Sequence, residues 1–325
     1  MAAGRALWLA GSHVAFALAR LADGAIVPAD AVPPLHRAAL ARLSAVPPAW
    51  AGLTGFPQVM GILNVTPDSF SDGGKYPDMA SAVAAGLAMA RAGAALIDLG
   101  GESTRPGAPA VPPEEEQARV LPVLAGLVRE GVRVSVDTRN AATMAAALAS
   151  GAAAINDVSG LTHDPDAAGV VARAGCPVVV MHGRGIPADM NRRAAYADIL
   201  AEVAAELAAR RDAAVAAGVQ PAAIALDPGV GFAKTGAQNL VLLPRLGALL
   251  GLGHPLVVGV SRKNFIGRLG GGLPPGERDQ GSLAAGLLAC LLGASVLRTH
   301  DVPATVRAID VWRGLGVWQA RPRRE

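Results

Sequence analysis

The chain has 325 residues, of which 52% are hydrophobic and 17% charged, and its formal net charge is +3. A chain of this length can bury a large core, so it should fold without disulfide bonds. The small net charge, the scattered Lys and Arg residues and an aromatic content of 3% argue against a nucleic-acid-binding protein.

The first residues superficially resemble a secretory signal, because Arg5 precedes the apolar stretch Ala6–Ala19. His13 interrupts this stretch, and Arg20 and Asp23 follow it at once. We therefore expect no signal peptide. No later stretch offers about 20 uncharged apolar residues outside Gly-rich or Pro-broken contexts, so no membrane partner is expected.

Two cysteines, Cys176 and Cys290, each lie among apolar neighbours. Small buried hydrophobic residues are the simplest interpretation of both, and a disulfide framework is not indicated. The sequence therefore predicts a reducing compartment and a cytoplasmic location.

A Pro-rich segment around Pro33, Pro34, Pro47 and Pro48 separates an N-terminal extension from the rest of the chain. We place the extension at residues 1–55 and a single large domain at residues 56–320. The extension carries no recognisable chemistry, and its weak periodicity leaves two roles open, a cap on the floor of the domain or an interface.

From residue 59 onward, short β-rich apolar runs alternate with longer Ala- and Leu-rich stretches of helical period, which is typical of βα units. Eight runs are predicted to be strands: 59–65, 95–100, 133–138, 153–158, 177–182, 223–227, 255–261 and 295–300. Eight parallel strands are the number that closes a barrel, so the predicted fold is an α/β (β/α)8 TIM barrel.

The intervening stretches predict helices over 80–92, 113–130, 140–150, 164–174, 191–217, 237–250 and 280–292, with a last helix over 302–314. Seven glycines fall where a left-handed residue would end a helix: Gly93, Gly131, Gly151, Gly175, Gly218, Gly251 and Gly293. An open doubly wound sheet uses the same βα pattern, but no GxGxxG follows the first run.

Polar residues end nearly every predicted strand, which also favours the barrel, because that fold builds its active site from the carboxyl ends of its strands. Acids and amides at Asp137, Asn156 and Asp227 suit a neutral planar heterocycle with several N–H donors on one edge. Cations at Lys263, Arg298 and His300 suit an anion. With Asn64 and a divalent ion nearby, a diphosphate could be held as a leaving group.

Seven segments, in order, resemble the signatures of the dihydropteroate synthases. They are Met60-Gly-Ile-Leu-Asn-Val-Thr-Pro-Asp-Ser-Phe-Ser-Asp-Gly-Gly74, Gly101-Glu-Ser-Thr-Arg-Pro-Gly107, Val136-Asp-Thr138, Ile155-Asn-Asp157, Leu226-Asp-Pro-Gly-Val-Gly-Phe232, Ser261-Arg-Lys263 and Arg298-Thr-His-Asp-Val302. The resemblance spans residues 59–302. It implies condensation of 6-hydroxymethyl-7,8-dihydropterin diphosphate with 4-aminobenzoate, which gives 7,8-dihydropteroate and diphosphate in folate biosynthesis.

The resemblance also implies roles for individual residues. The pterin would be bound by Asp137, Asn156, Met181, Asp227, Lys263 and Arg298. The diphosphate would be bound by Asn64, Arg298 and His300, and Mg2+ by Asn64 and Asp72. The 4-aminobenzoate would be bound by Phe70, Thr104, Pro106, Phe232, Ser261 and Lys263. Lys263, Arg298 and Asp72 would be the catalytic residues.

The family further implies a homodimer formed through outer helices and a target for sulfonamides. One departure from its pattern lies after the fifth strand, where Met181-His-Gly-Arg-Gly185 replaces the usual Met-His-Met run. The loop there is expected to differ in shape.

Several polar residues are predicted to be structural. Asp157 should be structural and lie outside the site, and Arg262 should face the helices because it alternates with its neighbours. Glu114, Glu115 and Glu116 should form the acidic first turn of a helix.

Two other functions stay open at this stage. One is a pterin-dependent methyltransferase domain of the same barrel superfamily, which needs no anion site. The other is a non-catalytic pterin-binding paralogue, which would be expected to have lost one of the loop signatures.

Overall fold

The computed structural model describes residues 6–9, 14–21, 23–55, 57–66, 79–103, 108, 110–186 and 189–315. Before residue 50, the described residues form two short antiparallel hairpins and a helix. These elements are β1 (Leu7–Trp8), β2 (Ala15–Phe16), β3 (Leu18–Arg20), β4 (Ile26–Pro28) and α1 (Arg37–Ser44).

Eight parallel strands form the central sheet, and each corresponds to one of the eight predicted runs. They are β5 (Gln58–Asn64), β6 (Leu96–Gly100), β7 (Val134–Asp137), β8 (Ala154–Asp157), β9 (Val178–Met181), β10 (Ile224–Asp227), β11 (Val257–Gly259) and β12 (Val296–Thr299). Their order in the sheet is β10-β9-β8-β7-β6-β5-β12-β11.

A single bridge joins the two ends of this sheet. Leu226 of β10 pairs in parallel with Leu256, and its backbone N–H donates to the carbonyl of Pro255 at 2.9 Å. The sheet is therefore a closed ring. This closure confirms the predicted TIM barrel and excludes the open doubly wound sheet.

Helices alternate with the strands around the outside of the barrel. They are α2 (Met79–Arg91), α3 (Pro113–Arg129), α4 (Ala141–Ala149), α5 (Ala167–Ala174), α6 (Ile199–Ala216), α7 (Gly236–Leu242), α8 (Asn264–Leu269), α9 (Asp279–Leu291) and α10 (Val302–Gly314). In the described part of the chain, none of these helices combines the length and apolar composition that crossing a bilayer requires.

Two helix predictions differ from the structure. In the stretch 191–217, a 3-10 helix over Met190–Arg193 comes first, and the α-helix begins only at Ile199, where the Asp198 side chain accepts from the backbone N–H groups of Leu200 and Ala201. The stretch 237–250 is split, because Pro244 cannot donate a backbone hydrogen bond and the chain continues from α7 as a 3-10 helix over Leu243–Leu252.

The glycine predictions are confirmed at six of seven positions, which have positive φ angles, and are wrong at Gly251. The 3-10 helix runs through Gly251, and Gly253 ends it with a φ of 83°. The lengthened 3-10 segment therefore moves the left-handed residue two positions along the chain.

The end of the N-terminal segment closes the floor of the barrel. Trp50 is 1% exposed, and its Nε1 donates to the carbonyl of Ala223 at 2.8 Å. Trp50 and Leu53 pack with residues near the amino ends of the strands, including Met60 and Leu96. Of the two roles left open for the extension, residues 50–53 thus serve as a floor cap, at the end opposite the predicted active site.

Candidate active site

The predicted polar residues meet at the carboxyl ends of the strands. Asn64, Asp137 and Asp227 are the last residues of β5, β7 and β10, and Asn156 and Arg298 lie one residue before the ends of their strands. The eight strands of a barrel end on one face, so residues more than 200 positions apart become neighbours.

Gly100, the last residue of β6, leaves room between two of these side chains. A Cβ atom at Gly100 would lie 3.4 Å from Asn64 Oδ1 and 3.5 Å from Asp137 Cβ. The strand register places Gly100 opposite both residues. A larger residue at this position would crowd Asn64 against Asp137.

Arg298 contacts two buried carboxylates. Its Nε lies 2.5 Å from Asp98 Oδ2, and its Nη2 lies 2.9 Å from Asp137 Oδ2. A guanidinium held by two acceptors in this way keeps a fixed plane. The geometry therefore presents a flat cation at the edge of the barrel mouth.

Asp98 organises this group of residues, although sequence reasoning assigned it no role beyond its place near a strand end. It is fully buried and accepts hydrogen bonds from Ser135 Oγ at 2.5 Å and Asn156 Nδ2 at 2.9 Å, in addition to Arg298. An ionised carboxylate only accepts, so the Asn156 amide nitrogen must face Asp98. The available signal was an acid in the otherwise apolar strand Leu96–Gly100.

A pocket opens beside these side chains. It is lined by Asn156, Val158, Met181, Asp227, Val230, Phe232, Gly259, Lys263 and Arg298. Five of the six residues predicted to bind a pterin are on this surface. The sixth, Asp137, lies behind Arg298 and contacts its guanidinium.

Burial changes the acidity of the two carboxyl groups. It raises the pKa of Asp137 to about 8, although the Arg298 guanidinium works in the opposite direction. Burial also raises the pKa of Asp227 to about 6, against a hydrogen bond from the backbone N–H of Gly229 at 2.6 Å. Both groups therefore titrate closer to neutral pH than an exposed Asp does.

Lys263 lies at the start of α8, with its Nζ 4.0 Å from the centroid of the Phe232 ring. Burial lowers the pKa of this ammonium to about 8, against the attraction of Asp227 and Asp137. A cation over an aromatic face is a stabilising contact that also fixes the position of the long side chain.

Ser261 and His300 form a pair. Ser261 Oγ accepts from the backbone N–H of His300 at 3.1 Å and lies 2.9 Å from His300 Nδ1. Burial lowers the pKa of His300 to about 3, so the imidazole is neutral at pH 7. The neutral ring can still offer an N–H donor to an anion.

Four predicted site residues, Phe70, Asp72, Thr104 and Pro106, lie outside the described residues. Among the described residues, no three His, Cys, Asp or Glu side chains converge to hold a metal ion. Magnesium needs few protein ligands when phosphate oxygens and water complete its shell, and the Asn64 amide is an oxygen donor of the kind that it accepts. The mouth of the barrel therefore fits a magnesium ion bound jointly by Asn64 and by phosphate oxygens of the substrate better than one bound by protein side chains alone.

The residues predicted to be structural follow local geometry. Asp157 accepts from the backbone N–H groups of Ser159 and Leu161 at 2.7 and 3.0 Å, as predicted. Arg262 does face the helices, since its Nε lies 2.7 Å from Asp279 Oδ1. The reason is not strand alternation, because β11 ends at Gly259 and Arg262 has a left-handed backbone with a φ of 57°.

The acidic first turn of α3 is present, but its third residue has another function. Glu116 is fully buried, and its Oε2 accepts from Thr138 Oγ1 and Asn140 Nδ2, both at 2.9 Å. It therefore holds the loop that follows Asp137 at the end of β7.

Comparison with known proteins agrees with this geometry. The family model described as "Pterin binding enzyme" matches residues 60–300. The dihydropteroate synthase of Mycobacterium leprae is 48% identical over 267 residues, which cover 80% of this chain and 93% of that protein.

Solved structures give the same result. Xanthomonas albilineans dihydropteroate synthase with 4-aminobenzoic acid is 49% identical, with a TM-score of 0.76, and the match covers 80% of this chain and 93% of that one. The complex of the X. albilineans enzyme with 7,8-dihydropteroate is 46% identical, with a TM-score of 0.74, over 81% of this chain and 95% of that one. The chain belongs to the dihydropteroate synthase family of pterin-binding enzymes.

Proposed function

We propose that this chain is a transferase that joins 6-hydroxymethyl-7,8-dihydropterin diphosphate to 4-aminobenzoate. The bond between the pterin methylene carbon and the diphosphate oxygen breaks, a bond from that carbon to the amine nitrogen forms, and the amine loses a proton. The observation that carries the proposal is the pocket in which Asn156 and Asp227 lie beside Lys263 and Arg298.

We assign the pterin to this pocket. Asp227 uses Oδ1 to hold the backbone of Gly229, and we assign its Oδ2 to the N–H donors of the heterocycle. Asn156 is oriented by Asp98, and Arg298 presents its plane for stacking. Met181 would supply an apolar wall, and Asp137 would act through its contact with Arg298.

The diphosphate is assigned to Asn64, Arg298 and the N–H of neutral His300. Magnesium, when bound through Asn64 and Asp72, would neutralise charge on the diphosphate oxygens and so improve the leaving group. Lys263 and Arg298 would contribute positive charge where negative charge accumulates as the carbon–oxygen bond breaks.

The 4-aminobenzoate is assigned to the side of the pocket lined by Phe232 and Lys263, together with Ser261 and with Phe70, Thr104 and Pro106 from the two loops. An aniline nitrogen is largely unprotonated at pH 7, so its attack needs orientation more than activation. Its proton would pass to Asp72 or to the departing diphosphate.

The groups that could bind an anion distinguish a synthase from the two alternative functions. A pterin-dependent methyltransferase domain would need the acid and amide set without an anion site, and a non-catalytic paralogue would bind pterin without turnover. Lys263 and the N–H of His300 lie at the ends of the last two strand regions, where barrels commonly bind phosphate. This position favours the synthase.

A homodimer is part of the proposal. An apolar groove lies between α7, α8 and α9, and it is lined by Leu240, Phe265, Leu269, Leu288 and neighbouring apolar residues. Leu269 is 67% exposed and Leu240 43% exposed. Covering apolar side chains of this size is a common reason for association. Glu in place of Leu269 should increase the monomer fraction measured by light scattering.

The remaining assignments concern the chain's organisation and location. We assign residues 1–55 as an extension and 56–320 as the catalytic domain. The buried free thiols of Cys176 and Cys290 are compatible with a reducing compartment such as the cytoplasm.

The function is tested by measuring diphosphate release from the purified protein with dihydropterin diphosphate and magnesium, with and without 4-aminobenzoate. Amine-dependent release together with 7,8-dihydropteroate is the expected result. Pterin binding without product would instead support the non-catalytic paralogue.

A further inference from the structure

A buried lysine lies behind the pocket and does not line it. Lys234 follows β10 by seven residues and is 6% exposed. Its Nζ lies 2.8 Å from His182 Nδ1, 3.0 Å from the carbonyl of Gly229 and 3.1 Å from the carbonyl of Phe232. The ammonium thus holds two carbonyls of the loop after β10, residues 228–234, which we call loop six.

The state of His182 follows from its two partners. The ring is fully buried, and its Nε2 lies 3.1 Å from Glu206 Oε2 on α6. A carboxylate only accepts, so Nε2 carries the proton and Nδ1 is left as an acceptor for Lys234. Burial lowers the pKa of Lys234 to about 7, against the attraction of Asp227. When protonated, the lysine has three N–H donors, which match the three acceptors around Nζ.

Loop six is fastened from a second direction by Arg184 and Tyr196. Arg184 Nε donates to Glu206 Oε1 at 3.0 Å, and its guanidinium lies 3.9 Å from the centroid of the Tyr196 ring. The Tyr196 hydroxyl donates to the carbonyl of Ala233 at 3.0 Å. Arg184 follows Gly183, the position after the fifth barrel strand at which this chain departs from the family's Met-His-Met run.

The front of loop six faces the substrates. It carries Phe232, whose ring lies beneath Lys263, and Gly229, whose N–H binds Asp227. Gly229 has a φ of 63°, and a Cβ atom there would lie 1.8 Å from the carbonyl oxygen of His182. Loop six therefore packs directly against the His182 backbone. A displacement of the carbonyls that Lys234 holds should also displace Phe232 and the N–H of Gly229.

We propose that Lys234, oriented by His182, is a positioning residue that fixes Phe232 of loop six and, through Gly229, the side chain of Asp227 for the condensation. This inference rests on the proposed function. Because Lys234 binds the Phe232 carbonyl directly, the amine side of the pocket depends on it most. Lys234 acts through the backbone of loop six and touches neither substrate.

Lys234→Met tests the proposal, because methionine keeps the length and apolar packing of the stem while removing the donors. The catalytic efficiency for 4-aminobenzoate, measured at saturating dihydropterin diphosphate, should fall by about 10- to 100-fold, mainly through a higher KM. The KM for the dihydropterin diphosphate should change less. Val203→Ala, a buried change on α6, is the control for simple destabilisation, and it should leave both KM values close to those of the unaltered protein.

Two substitutions of His182 test whether it acts through Lys234. Asn can place its oxygen near the position of Nδ1 and keep the acceptor for Lys234, whereas Gln places its amide near Nε2 and loses that acceptor. His182→Gln should therefore show the same rise in KM for 4-aminobenzoate as Lys234→Met. His182→Asn should retain most of the catalytic efficiency for 4-aminobenzoate. This pair carries the test if Lys234→Met fails to fold.

The proposal is overturned if Lys234→Met changes both KM values in parallel or only lowers the folded fraction, as Val203→Ala would. Equal losses in His182→Asn and His182→Gln would also overturn it. The unaltered protein is assayed alongside the variants. If it has no turnover, the proposed function fails, whereas normal turnover with unchanged amine KM in the variants removes the role of Lys234 alone.

Discussion

The two ends of the barrel are built from the same eight strands but differ in chemistry. At the amino end, Trp50 and Leu53 close a floor of apolar residues. At the carboxyl end, Asp98, Asp137 and Arg298 form a buried network of charges. The floor gains from apolar burial, whereas the mouth keeps ionisable groups buried, which costs free energy unless they are paired. The comparison indicates that stability and chemistry occupy opposite ends of one scaffold.

The largest effect should come from opening the floor. Trp50→Ala removes a side chain that is 1% exposed and its hydrogen bond to Ala223, so the free energy of unfolding should fall by about 3–5 kcal/mol. Urea unfolding measures the loss. Below the unfolding transition the KM values should not change, and a changed KM would show that floor and mouth are coupled.

A substitution at the mouth should lower activity and leave stability nearly unchanged, the reverse of Trp50→Ala. Lys263→Ala should lower kcat by about 100- to 1000-fold, because a charge aimed at the reacting groups is lost. Its free energy of unfolding should change little, since burial already disfavours the ammonium. Steady-state kinetics and urea unfolding check both parts, and normal turnover would remove Lys263 from the catalytic assignment. Arg298 is less suitable, because its removal would leave Asp98 and Asp137 without their cation.

A substitution of Asp98 tests whether stability and ligand binding are completely separated between the floor and the mouth. Asp98→Asn keeps the shape but weakens the contacts to Arg298 and Asn156, so stability should fall by about 1–3 kcal/mol and pterin affinity should fall with it. Calorimetric binding and thermal unfolding measure the two effects. Unchanged pterin affinity would mean that the network serves stability alone.

A gradual effect is expected from pH. Burial raises the pKa of Asp227 to about 6, so the folded state holds this proton more tightly than the unfolded chain. The group's contribution to stability is therefore fully present below its ordinary pKa of about 4 and is lost as the pH rises through about 6.

Pterin binding should have the opposite dependence, because the ionised Asp227 is the better acceptor. Affinity measured by calorimetry should weaken as the pH falls through about 6. Asp227→Asn should bind more weakly and lose this step. A step that persists in the variant would assign the titration to another group, such as Asp157, whose pKa burial also raises to about 6.

Much of the barrel could be predicted from the sequence, because each strand and helix has its own hydrophobic period and its own stop signal. The strand ends identified Asn64, Asp137, Asn156 and Asp227 in the same way, since a parallel barrel brings all such ends to one face. The short helix α8 was missed because Asn264–Leu269 is too brief to show a period.

The remaining features depend on contacts between distant parts of the chain. Lys234 and His182 are 52 residues apart, and nothing near either residue in the sequence predicts that their side chains form a hydrogen bond. Glu116 lies in a helix turn that is usually solvated, yet it is buried against Thr138. Only the folded chain reveals such partners, because burial depends on what packs over a residue and not on its neighbours in sequence.

The most direct test of the central claim is a crystal structure of this protein with 7,8-dihydropteroate. We expect the pterin in the pocket at the barrel mouth, with its N–H edge at Asp227 and Asn156 and its aminobenzoyl end toward Phe232 and Lys263. A product molecule bound elsewhere, such as in the apolar groove between α7, α8 and α9, would contradict it.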